Sequence, residues 1–144
     1  MEAYLIATAC TKFEKKADQT FKNLTEEVYC ELLKSAKVEN GDMIGQAWFG
    51  NCGMGTFGQN NIRGQVCFTP LVQKKLFPER VGIINVEGGC ATGSMAFHGA
   101  WKDIISGTED VSLAIGVEKI YQPNQPEKIQ EIYDGGIDQF DRND

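Results

Sequence analysis

The run Val81-Gly-Ile-Ile-Asn-Val86 leads into Glu87-Gly-Gly-Cys90 and then into Ala91-Thr-Gly-Ser-Met-Ala96. The first six residues have the apolar, β-branched character of a short buried strand, and the two consecutive glycines predict a tight turn. The residues after the turn favour a helix over 91–106, which Gly107 closes. A further strand is predicted over 111–117, so this part of the chain alternates strand, helix and strand.

The sequence before this stretch predicts the same alternation. Residues 3–10 favour a buried strand that enters a loop at Thr11-Lys-Phe13, and residues 43–49 favour a second strand. Between them, Asn23 with Glu26 three residues later is typical of a helix entry, and this helix ends before Asn40-Gly41.

A glycine-rich loop is predicted over residues 50–64. The next helix is predicted over 65–77, where Pro70 lies either inside the helix or in the first turn of a shorter one.

Together these elements predict an α/β fold. Strands that alternate with helices favour parallel pairing, because a parallel connection needs a crossover of a dozen or more residues. The helix over 91–106 is predicted to be a central one, buried on nearly all sides, because apolar side chains cover most of its circumference. These side chains are Ala91, Met95, Ala96, Phe97, Ala100, Trp101, Ile104 and Ile105.

Composition excludes several classes of protein. The chain has 144 residues, 42% hydrophobic and 24% charged, which is typical of one globular domain and excludes collagen-like, coiled-coil and disordered chains. The net charge is -6 and no cluster of Lys and Arg stands out, so nucleic acid is not an expected partner. No apolar run approaches the roughly 18 residues of a membrane span, and the N-terminus lacks a basic secretory signal, so a cytoplasmic location is expected.

The last part of the chain differs from the rest. Residues 121–144 contain six acids and two bases, so they carry -4 of the net charge of -6. Pro123, Pro126 and Gly135-Gly136 interrupt the pattern, and no closing element is predicted. We therefore expect an α/β unit over residues 1–120, followed by an acidic loop segment over 121–144 that is truncated.

Five cysteines occur, at positions 10, 30, 52, 67 and 90, together with one histidine. An odd number of cysteines without a C-x-x-C pair predicts neither a disulfide framework nor a zinc site. Free thiols are therefore expected.

Cys90 is the candidate nucleophile. At a helix N-terminus a thiol feels the positive end of the helix dipole, which favours the thiolate, and nearby N–H groups can receive an oxyanion. The alternative from the residues alone is a crowded turn in which Cys90 is a small hydrophobic residue.

The other candidate side chains have no activating context. His98 lies eight positions after Cys90, about 12 Å further along the same helix at 1.5 Å per residue, and is predicted to be packed or partner-facing rather than a base. Cys10, Cys30, Cys52 and Cys67 are interpreted as structural thiols, although the glycine-rich loop leaves open an approach of Cys52 to the site.

Two segments carry a family resemblance. Asn85-Val-Glu-Gly-Gly-Cys-Ala-Thr-Gly-Ser-Met-Ala96, followed by Ala114-Ile-Gly-Val-Glu-Lys119, resembles the nucleophile segment and next strand of thiolases. In this resemblance Cys90 stands at the acylated cysteine. Thr11-Lys-Phe13 is similar to a loop of the sterol-carrier-protein type, and Gly58-Gln-Asn-Asn-Ile-Arg63 is loosely similar to the segment before the second helix.

The resemblance covers roughly residues 3–120 and implies the N-terminal half of an acetyl-CoA acetyltransferase-like fold, with a mixed sheet and the buried helix after Cys90. It implies acyl transfer to Cys90 from a CoA thioester as substrate, with no covalently bound cofactor; no metal site is expected from the cysteine and histidine pattern given above. CoA-contacting residues are not assigned. The activating His and second Cys of the family belong to a C-terminal half without a counterpart here, so the isolated chain is expected to be inactive.

The resemblance also implies partners. We expect a homo-oligomer or a complex with a complementary thiolase half, and similar sterol-carrier-type thiolases suggest a zinc-ribbon and OB-fold partner. Three alternatives stay open: a non-catalytic subunit, an aldolase-like enzyme on the same fold, and a phosphate-binding domain that uses Gly88, Gly89 and Gly93. Cys90 argues against the aldolase, and the G-G-x-x-x-G order departs from the dinucleotide pattern.

Overall fold

The computed structural model describes residues 2–141. Within this range a three-stranded sheet is formed by β1 (Gln46–Gly50), β2 (Gly82–Val86) and β3 (Ser112–Gly116), in the order β2-β1-β3. Both pairings are parallel, with Trp48 between Ile84 and Ala114. The α/β class is confirmed, and where the resemblance implied a mixed sheet these three strands are parallel. The helices are α1 (Phe21–Ala36), α2 (Arg63–Gln73), α3 (Thr92–Ser106) and α4 (Glu127–Asp134).

Helices cover both faces of the sheet. Alternate residues of a strand point to opposite faces, so Phe49 faces α2, where Gly64 packs directly on it, and Trp48 faces α3. The main core lies on the α1 and α2 side, where Tyr29, Phe68 and Phe77 meet edge to face.

Two helix boundaries differ from the prediction. The helix predicted to enter at Asn23 begins at Phe21, with Thr20 as its N-cap. Thr20 Oγ1 accepts from the Asn23 N–H and Asn23 Oδ1 accepts from the Thr20 N–H, both at 3.1 Å. Asn23 is thus the reciprocal partner in a capping box rather than the cap. The helix predicted over 65–77 is α2, which spans Arg63–Gln73, and of the two predicted places for Pro70 the one inside the helix is confirmed.

The prediction that α3 is buried on nearly all sides is wrong for the chain by itself. One face is buried against the sheet through small residues, among them Ala96, Gly99 and Ala100. Outside this face Met95, Phe97 and Trp101 are exposed, and Phe97 keeps 54% of its accessible surface. The circumference is apolar as predicted, but the elements within residues 2–141 cover only one side of it.

The strand predicted over residues 3–10 is also absent. These residues lie outside any helix or strand, and Tyr4, Leu5 and Ile6 are exposed. They pass the outer edge of β3 and line an apolar cavity of about 460 Å³ together with β3, α1 and α3. β-compatible residues become a strand only when they pair with an edge, and this segment is not paired with β3.

A helix occurs where the sequence predicted an acidic loop. α4 occupies Glu127–Asp134, and its Ile132 packs against Gly53 in the loop after β1. Apolar residues at 129, 132 and 133 give a helical spacing that the surrounding prolines and acids obscure. The division of the chain at Ile120 remains a prediction, and residues 142–144 of the acidic segment lie outside the described residues. Among residues 2–141, no helix has the length and apolar character needed to cross a membrane.

Candidate active site

The carboxyl ends of the three parallel strands surround one cavity. Its volume is about 610 Å³, within the range of small-molecule pockets. Asn51 and Cys52 follow β1, Cys90 follows β2, and the segment 116–121 ends β3, while residues 9–14 close the remaining side. Open α/β sheets bind their ligands at this end of the strands.

The turn between β2 and α3 has a fixed shape. Residues Gly89–Ala91 form one 3₁₀ turn that runs into α3, as the two glycines predicted. The buried Thr92 hydroxyl accepts from the Gly88 N–H at 2.9 Å and donates to the Gly89 carbonyl at 2.7 Å. Gly89 has a φ of 56°, in the left-handed region that favours glycine.

Cys90 lies in this turn, directly before the first residues of α3, and its side chain is exposed and lines the cavity. It therefore stands near the N–H groups of the first helical turn, which have no partner within the helix. A thiol in this position can receive an electrophile from the cavity.

His98 lies on the open face of α3. Its ring stacks on Trp101 with the centroids 5.4 Å apart, and the side chain is exposed. This arrangement agrees with the prediction of a packed or partner-facing histidine.

The other four thiols have different environments. Cys67 is buried in the core and Cys30 is half-buried, and in both cases burial raises the pKa of the thiol. Cys10 is exposed and Cys52 half-buried, and both line the same cavity as Cys90. Sequence reasoning left the approach of Cys52 open and missed that of Cys10, which depends on the path of residues 3–14.

A polar frame that sequence reasoning did not identify connects the ends of β1 and β3. Glu118 Oε2 accepts from the Cys52 N–H at 2.9 Å and from the Gly53 N–H at 3.0 Å.

The buried Asn51 side chain donates to the Val117 carbonyl at 2.7 Å, and the Arg63 side chain donates to the Asn51 carbonyl at 2.7 Å. The available signal was the polar pair Glu118-Lys119 directly after an apolar strand.

A second carboxylate, Glu87, lies at the end of β2. Its Oε1 accepts from the Gly89 N–H at 2.6 Å, so Glu87 contacts the turn one residue before Cys90. Within residues 2–141, no group of His, Cys, Asp and Glu is arranged to hold a metal ion.

Comparisons with known proteins identify the family of this chain. The family model described as thiolase, N-terminal domain, matches residues 3–137. The benzoylsuccinyl-CoA thiolase subunit BbsB of Thauera aromatica is 32% identical over 117 residues, and an acetyl-CoA acetyltransferase of Methanocaldococcus jannaschii is 30% identical over 117 residues. Each match covers 81% of this chain and 28% of the relative.

Proposed function

We propose, because this chain belongs to the thiolase family, that Cys90 carries the acyl group of a CoA thioester during acyl transfer. The observation that supports this most is the place of Cys90: an exposed thiol at the start of α3, in the cavity at the carboxyl ends of the strands. The family match also favours this function over the phosphate-binding alternative.

The proposed step is thiol exchange. The Cys90 thiolate attacks the thioester carbonyl, the new C–S bond forms as the bond to the CoA sulfur breaks, and the CoA thiolate leaves and takes up a proton. N–H groups near the start of α3 are placed to stabilise the developing oxyanion. Thiolysis by CoA or attack by a carbon nucleophile then releases the acyl group.

CoA thioesters are the proposed substrates because both relatives are named for them. The chain spans 28% of the length of these relatives. We therefore propose that a complementary C-terminal thiolase half or partner chain supplies the activating base and the second acid. A zinc-ribbon and OB-fold protein is a further proposed partner.

A thiolysis assay tests this proposal. The purified chain alone is expected to give no turnover, because loss of the base of a nucleophilic enzyme costs orders of magnitude in rate. The same chain mixed with a C-terminal thiolase half is expected to turn over, and a mixture containing Cys90→Ala is the matched control.

Two results would contradict it. Turnover by the isolated chain at rates typical of enzymes, roughly 1 per second or more, would show that the base lies within residues 1–144. Turnover by the Cys90→Ala mixture equal to that of the unaltered mixture would show that Cys90 is not the acyl carrier.

A further inference from the structure

Thr92 bonds to the two residues that precede Cys90. It is the first residue of α3 and is 7% exposed. Its hydroxyl accepts from the Gly88 N–H at 2.9 Å and donates to the Gly89 carbonyl at 2.7 Å. A single oxygen atom therefore joins both glycines of the turn that carries the proposed nucleophile.

The methyl group of Thr92 packs on the neighbouring strand. A Cβ atom at Gly50, the last residue of β1, would lie only 3.0 Å from this methyl carbon. Because a β-branched side chain has few rotamers, a methyl group held against the sheet also fixes the direction of the hydroxyl. Thr92 thus connects the end of β1 to the turn that follows β2.

The turn itself contains little that could fix its shape. Gly88 and Gly89 have no side chains, and glycine has more conformational freedom to lose on folding than any other residue. The Gly89 N–H donates to Glu87, and the Ala91 N–H donates to the Gly88 carbonyl at 3.0 Å, but both of these bonds stay within residues 87–91. The contacts of Thr92 reach the sheet as well.

We propose that Thr92 is a positioning residue, whose hydroxyl holds the turn 88–91 in the shape that presents the Cys90 thiol to the cavity. This inference rests on the proposed function of Cys90 and deepens it, because it assigns the residue that orients the nucleophile.

Orientation matters for the acyl transfer step. The sulfur of Cys90 must approach the thioester carbonyl carbon along a defined direction while the carbonyl oxygen meets its N–H donors. A displacement of about 1 Å can lower the rate of such a step on the order of a hundredfold. A thiol in a loosened turn stays exposed but loses this alignment.

The test separates the hydroxyl of Thr92 from its methyl group. Thr92→Val keeps the shape of the side chain and loses the hydroxyl, Thr92→Ser keeps the hydroxyl and loses the methyl group, and Thr92→Ala loses both. Thr69→Val is the matched control in α2, where an exposed hydroxyl donates to the Gln65 carbonyl at 2.9 Å.

Each chain is treated with S-phenyl thioacetate that carries a labelled acetyl group, and acetylation of Cys90 is followed by peptide mass. The bond between the acyl carbon and the Cys90 sulfur forms as the bond to the thiophenyl sulfur breaks, and thiophenolate leaves. Thiophenolate is a better leaving group than the CoA thiolate, so this reaction does not depend on a base from a complementary half.

We expect acetylation of Cys90 to follow the hydroxyl. The rate is expected to fall roughly tenfold or more in Thr92→Val and Thr92→Ala, and to stay near that of the unaltered chain in Thr92→Ser and Thr69→Val. Exchange of the Gly88 amide hydrogen, followed by NMR, is expected to accelerate in the same two variants that lose acetylation.

The fold of each variant is checked in the same peptide map. Cys67 is fully buried, so its alkylation by iodoacetamide reports opening of the core. Rates at Cys90 are compared at a temperature where Cys67 stays unalkylated. If Thr92→Val does not fold, Thr92→Ser and Thr92→Ala, which differ by one oxygen atom, still decide the question.

Two patterns of rates would overturn the proposal: rates that follow the methyl group instead of the hydroxyl, and equal rates in the unaltered chain and its three Thr92 variants. Either pattern, with the acetyl group on Cys90, would refute the inference alone. No acetyl group on Cys90 in any chain, with Gly88 exchange still divided by the hydroxyl, would refute the function of Cys90 and leave the role of Thr92 in the turn intact.

Discussion

At the scale of single residues, two glycines near Cys90 have different backbone conformations, one left-handed and one helical. Gly89 has a φ of 56°, whereas Gly93 lies in α3, and a Cβ atom at either position has no heavy atom within 4 Å. Gly89→Ala is therefore expected to destabilise the protein by about 1 kcal/mol through backbone strain alone.

Gly93→Ala is the matched control, and it is expected to stabilise the protein by up to about 1 kcal/mol because alanine is the better helix former. The free energies of unfolding in urea measure both changes. If the two variants changed stability in the same direction, the left-handed conformation assigned to Gly89 would be contradicted.

The sequence predicted that Cys90 lies in a turn before a helix, but not which residues surround it in space. The strand, the glycine turn and the small residues at the helix start are local signals, and each can be predicted from one short stretch of sequence. Glu118, Asn51 and Cys10 reach the same cavity from distant segments: Glu118 and Asn51 meet because of the strand order β2-β1-β3, and Cys10 arrives by the path of residues 3–14. No local pattern encodes that order.

At the scale of elements, the contact between α3 and β1 depends on one glycine. A Cβ atom at Gly99 would lie 2.4 Å from the ring of Trp48, so the helix approaches the sheet more closely than an alanine permits. Trp48 is held there by its N–H, which donates to Asp103 at 2.7 Å. Gly99→Ala is expected to cost roughly 1–3 kcal/mol through overpacking.

Thermal unfolding of Gly99→Ala beside Gly93→Ala, on the same helix, isolates the steric effect from helix propensity. The melting temperature is expected to fall in the first variant and to rise in the second. An unchanged melting temperature in Gly99→Ala would mean that Trp48 moves aside without cost and does not fix α3 on the sheet.

Elements with strong local signals were predicted well, and those that depend on neighbours were not. The three strands and α1 to α3 follow from apolar periodicity and from glycine stops, with boundary shifts of a few residues. Residues 3–10 have the composition of a strand but no paired edge, and α4 lies in an acidic, proline-flanked stretch and packs through Ile132 against Gly53. Composition alone predicts neither the missing strand partner of residues 3–10 nor the packing of α4.

At the scale of the whole molecule, the open face of α3 predicts association. Phe97 and Trp101, four residues apart, are exposed on the same side of this helix, and adjacent apolar side chains of this kind mark interaction sites. Trp101→Glu is expected to weaken self-association or binding of a complementary half without unfolding the chain, because this side chain is not part of the core.

Gln73→Glu, which places the same charge on the exposed surface of α2, is the control for the added carboxylate. Sedimentation at micromolar concentration is expected to show a smaller species for Trp101→Glu only. A stable monomer for the unaltered chain, alone and with a complementary half, would count against the proposed assembly.

The identity of the acylated residue tests the central claim most directly. The chain, combined with a complementary thiolase half, is incubated with a CoA thioester that carries an isotopically labelled acetyl group, then quenched, digested and mapped by peptide mass. The account predicts the label on Cys90, approaching one group per chain, and no label in the matched Cys90→Ala variant. Label on any other residue of the chain, or its persistence in Cys90→Ala, would contradict it.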